Sequence, residues 1–107
     1  MKSKINRSID YSIIIPVYQN EGSLKETFHT LKTNVIDKNP QYSSELIFVD
    51  DGSTDKSFQI LHNLYEAYPE LIVIVKLTRN FGTYPAIIAG YEKARGDCLI
   101  NIMADLQ

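Results

Sequence analysis

The run Leu46-Ile47-Phe48-Val49 leads directly into Asp50-Asp51-Gly52-Ser53-Thr54-Asp55. Unbroken apolar residues, two of them β-branched, leave no polar face for solvent. They predict a short strand buried on both sides, as in parallel sheets covered by helices. The strand stops on adjacent carboxylates, a glycine and hydroxyl residues able to cap a helix. Ligands of open α/β sheets bind beyond the carboxyl ends of the strands, so Asp50 and Asp51 stand where a crevice is expected.

The flanking pattern extends the same architecture. Ser12-Ile13-Ile14-Ile15-Pro16-Val17 is a β-branched run interrupted by proline and predicts the first strand. After the polar turn Tyr18 to Gly22, Ser23-x-x-Glu26 fits a capping box. Leu24, Phe28, Leu31 and Val35 then recur at helical spacing. A second helix is expected from Ser53 or Thr54, with Phe58, Leu61, Tyr65 and Tyr68 on one face and Pro69 closing it. Leu71 to Leu77 predicts a third strand and Thr78 to Gly82 the loop at its end. Pro85 suits the first turn of a third helix running to about Ala94 and ended by Gly96. Cys98 to Met103 predicts the fourth strand. The order β-α-β-α-β-α-β, with right-handed crossovers, sends every strand end to one side. Tyr18, Asp50, Asp51, Arg79 and Asp105 are expected around one crevice there.

Several function classes are excluded. The chain has 107 residues, enough for one domain of ordinary composition, and a net charge of −2, which gives no footprint for nucleic acid. No apolar run reaches the roughly 20 residues of a bilayer span. Met1 to Asp10, which includes Lys2, Lys4 and Arg7, lacks the apolar core of a signal peptide and reads as a solvated basic tail. Cys98, the single cysteine, rules out a disulfide framework and is expected to be a buried, inert thiol. A reduced, cytoplasmic setting follows. The first strand is not followed by G-x-G-x-x-G, nor is there a P-loop pattern. His29 and His62 fall within the helices, away from the crevice.

An aromatic, several carboxylates and an arginine remain at that edge. Tyr18 can stack on a base, and Asp50 can accept from a base N–H while Asp51 or its neighbour holds ribose hydroxyls. Arg79 can offset diphosphate charge, and Asp105 can hold a divalent cation. The plainer reading makes Asp50 and Asp51 helix-start charges favoured by the macrodipole, and Arg79 a surface ion-pair partner.

Taken together, Ile14-Ile15-Pro16-Val17-Tyr18 with Glu21, Val49-Asp50-Asp51-Gly52-Ser53-Thr54-Asp55, Leu77-Thr78-Arg79-Asn80-Phe81-Gly82, Ala89-Gly90 with Ala94-Arg95-Gly96-Asp97, and Ala104-Asp105-Leu106-Gln107 resemble the amino-terminal half of a family 2 glycosyltransferase of the GT-A fold. Within that family the chain is similar to the polyprenyl-phosphate glycosyltransferases and related polysaccharide-biosynthesis enzymes. The resemblance covers 11–107, the nucleotide-sugar-binding half. It implies an open, mainly parallel Rossmann-like sheet of order 3-2-1-4 with helices on both faces. It also implies that Pro16, Tyr18 and Glu21 line the base site, that Asp50 binds the base, that Asp51 sits by the nucleoside and that Arg79 lies near the nucleotide. Asp105 would be the metal-binding carboxylate of D-x-D, here with Met103 in place of the first aspartate, and the cation would be magnesium or manganese.

The implied reaction moves a sugar from a nucleotide-diphosphate donor to a lipid-phosphate or glycan acceptor in cell-envelope polysaccharide or glycolipid synthesis, at the inner face of a membrane. No residue here matches the acceptor-side catalytic base, so the chain is expected to be a truncated, donor-binding half that does not transfer sugar alone. The alternative is a non-catalytic nucleotide-binding module of the same fold; a receiver-like signalling domain would need acids where Pro16-Val17-Tyr18 stands. The strand from Leu99 to Met103 is expected to lie at a sheet edge, short of cover and able to self-associate.

Overall fold

A computed structural model describes residues 8–104; Asp105 and the basic residues Lys2, Lys4 and Arg7 lie outside them. The elements are β1 (Ile9–Val17), α1 (Leu24–Leu31), β2 (Ser44–Asp50), α2 (Ser57–Ala67), β3 (Ile72–Lys76), α3 (Thr83–Lys93) and β4 (Gly96–Asn101). They form one four-stranded sheet of order β3-β2-β1-β4, with every neighbouring pair parallel. The expected topology is thus observed, and the strand leading into Asp50 is interior.

Strand pleating divides the core in two. Ile13, Ile15, Leu46 and Phe48 face α1 and α2 and bury Leu24, Phe28, Leu31 and Leu61. Ile14, Ile47 and Val49 face the other way, onto Ala86 of α3. This second contact is close: a Cβ on Gly90 would come within 2.6 Å of Ile14 Cγ2, so glycine sets how near α3 can lie to the sheet.

Element boundaries differ from the sequence reading where side chains compete for backbone groups. β1 begins at Ile9, before the expected Ser12, because Asp10 N–H donates to Ser43 O (3.1 Å) and Ser43 N–H donates back to the Asp10 carboxylate (2.8 Å). The capping box does not form. Ser23 makes no side-chain bond to the helix, and its hydroxyl lies 3.5 Å from the Asn20 and Ala104 carbonyls. α1 continues into a π-helical turn over Lys32–Ile36 that closes with Asp37 N–H on Lys32 O at 2.9 Å. α2 starts at Ser57 rather than Ser53 or Thr54. Its inward residues are Ser57 and Leu61, with Ile60 and Leu64 beside them, while Tyr65 and Tyr68 are about 40% exposed, 41% and 39%. Gly96 opens β4 instead of closing α3, and a Cβ there would sit 2.6 Å from Ser12 N.

At the amino edge of the sheet, buried Glu45 collects the Ser12 hydroxyl (2.7 Å), the Arg95 N–H (2.7 Å) and the Arg95 Nε (3.1 Å). Gly96 N–H donates to Ser12 Oγ at 2.9 Å. A buried carboxylate needs such partners, and here they fasten the α3–β4 connection to β1 and β2. β4 pairs with β1 alone among the described strands, and Leu99, Ile100 and Met103 are 42%, 40% and 52% exposed. Cys98 on β4 is exposed, so the expectation of a buried thiol was wrong. An apolar run does not bury itself when its strand is at the margin. No described helix is long and apolar enough to cross a membrane.

Candidate functional site

The loops after β1 and β2 are woven together before any cleft forms. Gln19 takes a left-handed backbone (φ 56°), which few non-glycine residues adopt. Its side-chain carbonyl then accepts from Thr54 N–H (2.7 Å) and Asp55 N–H (3.2 Å), and its own N–H donates to Ser53 Oγ (3.0 Å). Glu21 accepts from Lys56 N–H (3.0 Å), and Asp55 accepts from the N–H of Ser57, the first residue of α2 (2.9 Å). Desolvation pushes the Asp55 carboxyl up, but its hydrogen bonds to Ser57 and to the Glu21 amide outweigh that, and its pKa lies below the usual aspartate value.

The two neighbouring carboxylates part company at the end of β2, because successive residues of a strand point to opposite faces. Asp50 is fully buried on the α2 face. One of its oxygens accepts from Ser53 N–H (3.1 Å), and the other has no hydrogen-bond partner and stands 3.7 Å from Lys76 Nζ. Lys76 itself lies over the Phe58 ring at 4.6 Å. Asp51 turns to the α3 face, where it is 3% exposed. It accepts from Phe81 N–H (2.8 Å), Gly82 N–H (3.0 Å) and Asn80 Nδ2 (2.9 Å).

A cleft of about 230 Å³ opens at the carboxyl edge, between the ends of β1 and β4. It is lined by Pro16, Val17, Tyr18, Asn20, Asp51, Thr83, Met103 and Ala104. Its floor is pinned where the Ser23 and Thr27 hydroxyls donate to Ala104 O and Ile102 N–H donates to Ile14 O (3.0 Å). β2 and β3 run out from β1 on one side and β4 lies on the other, so the cleft falls where the strand order reverses, the place that binds ligands in open α/β sheets.

Of the residues singled out in the sequence, Pro16, Tyr18 and Asp51 meet at this cleft. Asp50 does not; it braces the turn on the opposite face. Glu21 joins the two loops, and Arg79 lies with its guanidinium 4.2 Å from the Phe81 ring centre. Asp105 follows cleft-lining Ala104 but is outside the described residues. Asn20 and Thr83 of the cleft and the bracing residue Gln19 carry no mark in the sequence as site residues, and Val17, Asn80 and Ala104 stand out there only as parts of the family-like segments. Polar turn chemistry marked Gln19 and Asn20 only as a loop, and no local signal distinguishes Thr83. Among the described residues no group of three His, Cys, Asp or Glu side chains could hold a metal, and the oxygens of Asp51 are already committed to N–H donors. The described residues therefore do not make a cation site by themselves.

The sheet order and the cleft at its switch point define an open α/β fold with its candidate site at the carboxyl edge of the strands. The chain belongs to the family described as "Glycosyl transferase family 2", which matches residues 12–107. It is 44% identical over 96 residues to the undecaprenyl-phosphate 4-deoxy-4-formamido-L-arabinose transferase of Pseudomonas fluorescens (strain SBW25), covering 90% of this chain and 28% of that protein. It is 42% identical over 105 residues to the uncharacterized glycosyltransferase YkcC of Bacillus subtilis (strain 168), covering 96% and 31%. The chain thus spans under a third of the length of these relatives. Among solved structures, the mannosyltransferase PcManGT from Pyrobaculum calidifontis, in complex with GDP-Man and Mn2+, superposes with a TM-score of 0.76 at 22% identity, over 94% of this chain and 28% of that one. S. aureus TarS 1–349 in complex with UDP-GlcNAc gives 0.75 at 24%, over 91% and 27%. These likenesses establish the fold as the GT-A type.

Proposed function

We infer that this chain is the donor-binding part of a glycosyltransferase that moves a sugar from a nucleotide-diphosphate donor to a lipid-phosphate or glycan acceptor in cell-envelope synthesis. The observation that carries the reading is the cleft at the reversal of strand order, bounded by Tyr18 on one side and Thr83 and Met103 on the other. Tyr18 is 46% exposed there, open to a base that stacks on its ring. Thr83 begins α3, whose positive end favours the negative charge of a diphosphate. Arg79 supplies further positive charge for the same group. Asp105 would contribute one carboxylate to a divalent cation shared with the diphosphate; when bound, such a cation neutralises the leaving group. The similarity to an undecaprenyl-phosphate transferase supports a polyprenyl-phosphate acceptor, hence work at the inner face of a membrane.

Titration calorimetry of the chain with UDP, GDP, CDP and dTDP, with and without manganese or magnesium, tests the reading. At least one nucleotide should bind, and the cation should tighten it. Tyr18→Ala should weaken that binding by ~1–3 kcal/mol, the value of a base–aromatic stack. No binding by any of the four would overturn the proposal. Asp105→Ala should abolish the effect of the cation while leaving metal-free affinity unchanged.

A further inference from the structure

We propose that Gln19 is a positioning residue for the nucleotide site: it ties the peptide that follows Tyr18 to the turn after β2, and so sets the Tyr18 ring at the cleft beside Asp51. The inference rests on the nucleotide reading above and deepens it. Tyr18 and Asp51 line one cleft but come from different loops. The pairing of β1 with β2 ends at Val17 and Asp50, and Asp51 N–H closes it on Val17 O at 2.8 Å. Tyr18 is the first residue of its loop beyond that point and is 46% exposed, so packing does little to hold its ring. The next residue supplies the hold. Among the described residues, Gln19 is the one non-glycine residue with a positive φ, 56°. A backbone turned in this way persists only where its surroundings over-determine it.

The turn after β2 does so here. Gln19 N–H, which belongs to the Tyr18–Gln19 peptide, donates to Ser53 Oγ at 3.0 Å. The side-chain carbonyl accepts from Thr54 N–H (2.7 Å) and Asp55 N–H (3.2 Å), and Nε2 donates to Thr54 Oγ1 (3.1 Å). That turn is itself anchored, because Ser53 N–H donates to buried Asp50 at 3.1 Å. Asp51 has holds of its own, from Phe81 N–H, Gly82 N–H and Asn80 Nδ2. What Gln19 adds is therefore the placement of Tyr18. Gln19 is exposed and does not line the cleft, so it neither builds the core nor meets a nucleotide itself. A residue that merely supports the fold weakens binding whether or not the Tyr18 ring is present. A residue that positions Tyr18 loses its effect once the ring is gone.

The experiment titrates UDP, GDP, CDP and dTDP into the unaltered chain, Gln19→Met, Gln19→Gly, Tyr18→Ala and the double variant Tyr18→Ala/Gln19→Met. Gln19→Met keeps the length of the side chain without its amide. Gln19→Gly also removes the amide but accepts a left-handed backbone at no steric cost. Each Gln19 variant should bind about tenfold more weakly than the unaltered chain, the worth of the hydrogen bonds it loses. With Tyr18 already replaced, Gln19→Met should cost less than about twofold more, the non-additivity expected of two residues that act as one unit. Unchanged affinity in either Gln19 variant, or a loss that persists in full when Tyr18 is absent, overturns this inference and leaves the nucleotide reading intact. If the unaltered chain binds none of the four nucleotides, the nucleotide reading fails and this inference falls with it.

Discussion

The two faces of the sheet are built differently. Beneath α1 and α2 lies a deep core in which Phe48, Leu61 and Leu24 are wholly buried. Beneath α3 the buried residues are Ile14, Ile47, Val49 and Ala86, and the helix is drawn in until Gly90 almost meets Ile14. The difference decides where a cleft can form. On the deep face the turn after β2 closes over Asp50 and ties it to Ser53 and Lys76. Asp51, turned the other way, is among the residues lining the cleft at the ends of β1 and β4, and it accepts from the Phe81 N–H of the β3–α3 loop. Adjacent acids in the sequence therefore have unlike roles: one seals the core and the other borders the site.

Substitutions on each face would sharpen or break this contrast. The largest loss is expected from Phe48→Ala on the deep face, ~3–5 kcal/mol in urea unfolding, since truncating a large buried aromatic leaves a cavity. Loss below ~1.5 kcal/mol would mean that the deep core collapses around the gap, and the contrast would fail. Next comes Gly90→Val on the shallow face. Overpacking there should cost ~1–3 kcal/mol, and because α3 is pushed outward it should also weaken nucleotide binding. A stability loss with unchanged affinity would separate the shallow core from the cleft it is held to shape. Ile47→Val, also on the shallow face, should cost only ~0.5–1.5 kcal/mol and leave binding unchanged, because it shortens a side chain without moving the helix.

The smallest effect is one of pH. The Asp55 pKa is depressed in the folded chain, so the stability it lends to the start of α2 is present above the unfolded aspartate value, ~3.9, and is lost as pH falls through the lower folded value. Thermal melts of the unaltered chain and Asp55→Asn should differ above pH 4 and converge in stronger acid. A gap that persists at pH 2 would assign the effect to shape rather than charge.

Much of the fold was legible because it rests on periodicity and chain connectivity. An apolar run such as Leu46 to Val49, closed by turn residues, marks a strand, and helices between parallel strands cross over on one hand. The exposed flank of β4 was legible on the resemblance to a longer fold, although Cys98 on it was misread. Boundaries were less accessible. Ser23-x-x-Glu26 has the letters of a capping box, but the hydroxyl lies instead between the carbonyls of Asn20 and Ala104, the latter more than 80 residues along the chain by number. The turn before α2 is likewise held from a distance: Gln19 and Glu21 of another loop accept from the Thr54, Asp55 and Lys56 amides, and α2 starts only at Ser57.

The sequence by itself determined the α/β class, the parallel order of elements and the edge at which chemistry collects, because these follow from hydrophobic pattern and from the length of each connection. Only the tertiary structure decided which acid lines the cleft and that Gln19 and Asn80 hydrogen-bond to the turn after β2. Those outcomes depend on the pleat of β2 and on hydrogen bonds between loops remote in sequence. A carboxylate written next to another carboxylate carries no mark of the side of the sheet it will occupy; the register of its strand against the neighbours supplies it.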